Sequence, residues 1–387
     1  MKYELAKLLS SFEESKTLAL AARAKKLKSE GRPVISFASG EPDFLSPASV
    51  IKAAYDGAMA GQTKYTPVAG APDCRRAIAK RVSTDYGVEF SAEEVAVSNG
   101  GKQAIYHFLQ ATLNAGDEVL IPRPYWTSFP EMVKMVGAKP IIVRSPAGRL
   151  RAEDLHAAIS PRTRAFIYNS PSNPSGMVYT DEETKSFLEV IKPHPIWLMS
   201  DDTYYSLVYE PHRWTSALKL DPSFRDRTCI VGSASKSYAM TGWRIGWGIG
   251  PQVLIDGMVK LQGQVTSGAS SLSQAGLIEA VGESHKEAEG FKTLFQRRRD
   301  LTIEKLSKIK GLSWMEPQGA FYVFIKLKGL LKSESVTEFC ERLLEKNSVC
   351  MVPGEAFGEP DYARISYALS DAEIIEGIGR LEMALKG

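Results

Sequence analysis

Residues 228–250 read TCIVGSASKSYAMTGWRIGWGIG. An apolar run ends in small residues, presents Lys236, and passes through Thr-Gly-Trp-Arg into a second apolar run. Short apolar runs bounded by Gly and Ser read as strands. Ser233 and Ser235 lie two apart, so in an extended segment their hydroxyls project to one side. Arg244 can return a guanidinium to the same place. Two hydroxyls and a guanidinium make a cradle for a phosphate dianion, with Lys236 beside whatever the phosphate carries. A lone lysine is ordinarily a solvated surface group; the company kept by Lys236 argues against that reading.

Outward from this stretch, between about residues 50 and 260, short apolar runs alternate with helical patterns. The runs are EEVAVSN, DEVLIP, KPIIV, AFIYN, IWLMSD, TCIVGS and WRIGWGIG, and one intervening helix opens with a capping box from Thr180 to Glu183. This alternation predicts an α/β fold with a mostly parallel sheet between helices. The first thirty residues read as an amphipathic helix, from Leu5, Leu8, Leu9 and Phe12 with a second set at Leu18, Leu20 and Leu27. VISFAS follows as a strand. Residues 274–309 read as one long charged helix leading to a compact α+β unit. The expected division is a large domain at 48–280 and a discontinuous small α+β domain made of 1–47 and 281–387.

Other stretches carry polar groups where a site could form. S98-NGGKQAIYHFLQATLNAG follows a strand and opens a helix, and glycines there let backbone N–H groups approach an anion closely; a plain turn and cap would look the same. PRPYWTSFPE (122–131) places Trp126 just after a strand, and NSPSNPSG (169–176) is a proline-rich loop explicable by turn chemistry alone. IWLMSD ends on Asp201, with Asp202 and Tyr204 beyond. Acids there often only cap a turn, yet strand carboxyl ends are where open α/β sheets bind ligands. YARISYALS (362–370) sets Arg364 in an apolar strand, where a guanidinium needs an anionic partner.

Bulk properties exclude several classes. The 387 residues carry a formal charge of +3 with no basic block interleaved with aromatics, which argues against nucleic acid. The charged opening segment has no apolar stretch of signal-peptide type, so a cytoplasmic location and no membrane span are expected. Four cysteines, at 74, 229, 340 and 350, lack metal-ligand spacing, so no metal site is expected.

Ser233-Ala-Ser235-Lys236 and Gly242-Trp-Arg244 meet, without a gap, the pattern S-x-S-K-x-x-x-x-x-G-x-R. In this the chain resembles the class I aminotransferases of the fold type I pyridoxal-phosphate (PLP) enzymes, most closely their bacterial aspartate branch. Seven motifs fall in family order from about residue 5 to the end. The resemblance implies that Lys236 condenses with the cofactor aldehyde and then shuttles a proton at the substrate Cα. It gives Ser233, Ser235, Arg244, Gly100, Gly101 and Lys102 to cofactor binding, with Lys102 alternatively reaching a substrate carboxylate. Trp126 becomes the ring stacked on the cofactor. Asp201 pairs with the pyridine nitrogen and keeps it protonated. Tyr204 and Asn173 serve the phenolic oxygen, and Asn173 also serves the substrate. Arg364 clamps the substrate α-carboxylate, with Gly40 and Trp126 beside it. Tyr65 is lent by a neighbouring subunit, which implies a homodimer with shared sites. Asp202 stands where relatives usually have glutamate.

The implied activity is ping-pong, Schiff-base transamination between an amino acid, aspartate foremost, and a 2-oxo acid such as 2-oxoglutarate or oxaloacetate. Aromatic amino acids, alanine and prephenate are alternative substrates; Glu13, where prephenate-accepting relatives carry a basic residue, disfavours the last. A lyase and a non-catalytic PLP-binding protein are further alternatives, since the scaffold alone does not fix a reaction.

Overall fold

The computed structural model describes residues 4–12 and 16–386. Its strands in chain order are β1 (Ile35–Ser36), β2 (Val95–Ser98), β3 (Glu118–Pro122), β4 (Lys139–Val143), β5 (Thr163–Asn169), β6 (Trp197–Asp201), β7 (Thr228–Ser233) and β8 (Gly246–Ile249). Beyond them come β9 (Ser313–Met315), β10 (Tyr322–Lys326), β11 (Val349–Cys350), β12 (Val352–Pro353) and β13 (Tyr362–Ser366). Seven strands form one sheet in the order β2-β8-β7-β6-β5-β3-β4, parallel except for β8, which runs antiparallel to both β7 and β2.

The strands of this sheet are apolar on both faces because both faces are covered. Phe166 and Tyr168 of β5 face one core, while Ala165 and Ile167 face another. In β7, Ile230 joins the first and Cys229 and Val231 the second. The capping box expected at Thr180 forms, opening the helix Asp181–Ile191.

A four-stranded sheet, β12-β13-β10-β9, is antiparallel throughout, and β1 pairs with β11 in a separate parallel ladder. A further core gathers Ile35 and Phe37 with Phe321, Val323, Phe339, Ile365 and Leu381. Tyr204, Leu207 and Tyr209, which follow β6, also belong to it. The segment after Asp201 thus packs against the second sheet.

Three local expectations are corrected. The start of the chain holds a single 3₁₀ turn, Lys7–Ser10, before the helix Lys16–Ser29. Leu5, Leu8 and Leu9 are exposed among the described residues; with so little apolar surface packed on it, so short a segment has little to stabilise it as an α-helix. Glu13 lies outside the described residues. The long helix read over 274–309 is two helices, Ser271–Val281 and His285–Leu306, with the chain turning at Gly282. Ser235 does not sit in extended chain: Ser233 ends β7, and its hydroxyl accepts from Ser235 N at the start of the helical turn Ala234–Ser237. A serine at a strand end offers the backbone that alternative to continuing the ladder.

Candidate active site

Asn169, Asp201 and Ser233 end the parallel strands β5, β6 and β7. The register sets Asn169 beside Asp201, and Asp201 beside Val231, two residues before Ser233. A cavity of about 630 Å³ opens at this carboxyl edge of the sheet. It is also lined from the second sheet, by Tyr322 and Arg364, and from the amino-terminal segment, by Gly40 and the helical face Ala21, Ala24, Lys25 and Lys28.

One end of the cavity is made of hydroxyls and glycines. Ser233 Oγ lies 2.8 Å from Ser235 Oγ, so the turn that breaks the extended chain still brings the two hydroxyls together. Arg244 takes a left-handed backbone conformation and donates to Thr241 O at 2.8 Å. Gly100 caps the helix Gly101–Thr112 at φ 84° and ψ 161°, a region open in practice only to glycine. A Cβ there would stand 2.8 Å from Arg244 Nη2. The first helical N–H groups, two serine hydroxyls and a guanidinium therefore surround one small volume, a ready site for an anion. Lys102 lies at its edge, with Nζ 3.1 Å from Ser128 Oγ and 4.9 Å from the Trp126 ring centroid. Burial and the charge of Arg244 lower its pKa.

Lys236 occupies the middle of the cavity. Its Nζ donates to Gly40 O. Burial pushes the amine down to about 8, against the pull of Glu41 and Asp201 and with the help of Arg364 and Arg244. A lysine of that pKa is about one-tenth free amine at pH 7 and about half at pH 8, far more than an ordinary lysine, and the free amine is what condensation with a carbonyl requires. Asp201 is buried, and burial raises its pKa; Thr203 opposes this by donating its Oγ1, at 2.7 Å, and its N–H, at 3.2 Å, to Oδ1. Asp202 looks elsewhere. Ser200 Oγ (2.6 Å) and Tyr86 OH (2.9 Å) donate to it, and burial raises it to about 7.

The other end is a guanidinium. Arg364 is 2% exposed; Nη1 donates to Asn173 Oδ1 at 3.0 Å and Nη2 to Ala38 O at 2.9 Å. Its Cζ lies 4.4 Å from the Tyr322 ring centroid and 5.2 Å from that of Phe357. Among the described residues its Nε is buried without a partner. A buried cation flanked by rings and left with a free donor suits a carboxylate.

The fold thus brings Lys236, Asp201, Tyr204, Asn173, Ser233, Ser235, Arg244, Gly101, Lys102, Trp126, Gly40 and Arg364 to one cavity, with Gly100 at its rim. Tyr65 stands apart, 97% exposed and off the lining. Sequence reasoning missed Tyr322, Thr203, Asn169 and Glu41. Asn169 donates to Asp201 O at 3.0 Å, and Glu41 accepts from Thr241 Oγ1 at 2.9 Å. Glu41 was visible as a neighbour of Gly40; Tyr322 gave no signal beyond its place in an apolar strand.

A depressed lysine beside a buried carboxylate, set between an anion cradle and a buried arginine, defines an enzyme that handles a carbonyl cofactor and an anionic amine. Residues 32–381 match the family described as aminotransferase class I and II. The chain belongs to that family: it is an aminotransferase, and membership implies pyridoxal phosphate. It is 42% identical to an aspartate aminotransferase of Rhizobium meliloti, over 98% of this chain and 95% of the relative. It is likewise 42% identical to a probable aspartate/prephenate aminotransferase of Rhizobium leguminosarum bv. phaseoli, over 98% of each. The crystal structure of the Rhizobium meliloti aspartate aminotransferase superposes with a TM-score of 0.95 at 41% identity, covering 100% of this chain and 99% of that one. Aspartate aminotransferase from Thermus thermophilus with maleate gives 0.94 at 34% identity, covering 99% and 100%.

Proposed function

We propose that the chain transfers the amino group of aspartate to a 2-oxo acid, with pyridoxal phosphate held in this cavity. The observation that carries the reading is Lys236: a half-buried lysine of pKa about 8, between the cradle of Ser233, Ser235 and Arg244 and the buried Arg364. The residues present fit the cofactor. Gly100 leaves room where any Cβ would strike Arg244, the cradle's donors suit a phosphate, and the cavity is of small-ligand size. When bound, the cofactor supplies an electron-withdrawing ring and carries the amino group between half-reactions.

Lys236 anchors the cofactor covalently, and its freed amine takes the proton from the substrate Cα. Asp201, steadied by Thr203, holds a proton on the ring nitrogen through its negative charge. Tyr204, kept neutral because burial raises it well above 10, donates to the phenolic oxygen. Trp126, on the cavity lining, would cover the ring. Arg364, aligned by Asn173, takes the α-carboxylate, and Lys102 is one cation on the lining available to a second carboxylate. The maleate of the Thermus thermophilus structure is a dicarboxylate, which supports a site for two acids. Tyr65, so exposed in the single chain, suits a role in the site of a second copy in a homodimer.

Half-reactions test this. The yellow protein should lose its visible absorbance on addition of aspartate or glutamate and recover it with 2-oxoglutarate or oxaloacetate. Alanine, aromatic donors and prephenate complete the panel, the last because three of the relatives carry prephenate in their names. Bleaching by no amino acid, or release of ammonia without an acceptor, contradicts the reading.

A further inference from the structure

Tyr322 opens β10 and is fully buried. Its hydroxyl lies 2.8 Å from that of Tyr204, and its ring lies 4.4 Å from Arg364 Cζ. A Cβ on Gly40 would stand 3.5 Å from the same hydroxyl, so Tyr322 also abuts the turn that accepts from Lys236. One side chain therefore touches the groups proposed for the cofactor's phenolic oxygen, the substrate carboxylate and the lysine.

We infer that Tyr322 is a positioning residue with two separable duties: its hydroxyl supports Tyr204 as a hydrogen-bond donor to the cofactor, and its ring holds Arg364 in place for the substrate carboxylate. The inference rests on the proposed function. A phenol has one hydrogen to give, and its oxygen accepts. Among the described residues each of these two hydroxyls has only the other as partner. Both keep their protons, because burial raises the pKa of each. If Tyr204 turns its hydrogen to Tyr322, it has none for a ligand. When Tyr204 donates into the cavity, Tyr322 is left to donate to the Tyr204 oxygen, and two such bonds in series strengthen each other. The ring acts separately: together with Phe357, 5.2 Å from the same carbon, it offers Arg364 a π-face, while Nε has no partner among the described residues.

Two variants divide the duties. Tyr322→Phe keeps the ring and removes the hydroxyl; Tyr322→Leu removes both. In the cofactor-loaded protein, weaker donation from Tyr204 leaves the phenolic oxygen more basic, so it holds the neighbouring proton more tightly. The midpoint of the visible absorbance titration should therefore rise in both variants. In Tyr322→Phe, kcat should fall several-fold while KM for the amino donor stays within about two-fold, since the stacked ring remains. In Tyr322→Leu, KM should rise in addition, by about 5- to 30-fold. A residue that merely filled space would move the melting temperature but not the midpoint.

An unchanged midpoint in both variants overturns the hydroxyl's duty, and a KM increase in Tyr322→Phe equal to that in Tyr322→Leu overturns the ring's. If the unaltered protein binds pyridoxal phosphate with no visible band that responds to amino acids, the proposed function falls, and this inference falls with it.

Discussion

At the cradle end of the cavity, Ser233, Ser235 and Arg244 come from one short stretch, which also carries Lys236, and Gly100 and Gly101 from one turn. At the other end, Arg364 meets Asn173 from 191 positions away and Ala38 from 326. Each part of the cradle is built locally: a strand end, a capped helical turn and a left-handed arginine in one stretch, and a helix start at a φ that only glycine readily adopts in the other. The clamp is built by packing one sheet against the segments that follow the other. A local device tolerates motion elsewhere in the chain, whereas an assembled one reports on how the two sheets sit together.

Lys236 lies between the two ends and feels both arginines, so it offers the largest contrast. In the cofactor-free protein, amine-directed labelling of Lys236 should rise with pH around a midpoint near 8. The sign follows from the charge: the protonated form does not attack, and burial disfavours it. At pH 8 the free-amine fraction should exceed that of an ordinary exposed lysine by more than about 100-fold. Arg244→Leu and Arg364→Leu should each move the midpoint up, because each removes a positive charge that opposes protonation. A midpoint that follows only one arginine would break the symmetry.

The next effect separates the ends. Arg364→Leu should raise KM for the amino donor by about 30-fold or more, the usual consequence of removing one partner of a buried charge pair. Cofactor affinity, measured by titration of the cofactor-free protein, should barely change. Arg244→Leu should reverse the pattern, weakening the cofactor by about 10-fold or more with little change in KM once the protein is loaded. Equal losses of both quantities in both variants would mean that the two ends are not independent.

Gly100→Ala should produce the smallest change. The residue sits at φ 84°, and its new methyl would lie 2.8 Å from Arg244 Nη2. Strain of about 1–3 kcal/mol is expected, read as a lower melting temperature and up to about 10-fold weaker cofactor binding. Gly40→Ala is a control at the clamp side, where the nearest contact, Tyr322 OH at 3.5 Å, is ordinary.

The same contrast governs what could be read from sequence. Ser233, Ser235, Lys236 and Arg244 announce themselves because unusual residues crowd one stretch, and alternating apolar runs betray the large sheet. Asp201 stood out by ending a strand. Tyr322 did not, since an aromatic residue in an apolar strand is what any core contains, and its role exists only through Tyr204 and Arg364. Asn169 gave no sign for a like reason: its hydrogen bond to Asp201 O depends on strand register; Thr203 bonds Asp201 from two residues on, a local contact that any turn after a strand could make. The conformation of Ser235 was misread because a capping hydrogen bond from one side chain outweighed the extended pattern of its neighbours. The first leucines misled in the opposite way, their helical spacing offering a face left exposed among the described residues.

The most direct test of the account is chemical. Pyridoxal phosphate is added to the cofactor-free protein, the carbon–nitrogen link is reduced with borohydride, and the modified peptide is mapped. The label should fall on Lys236 and be lost, with the visible absorbance, in Lys236→Ala. A label on Lys102, at the edge of the cradle, or an undiminished label in Lys236→Ala, would contradict the account at its centre.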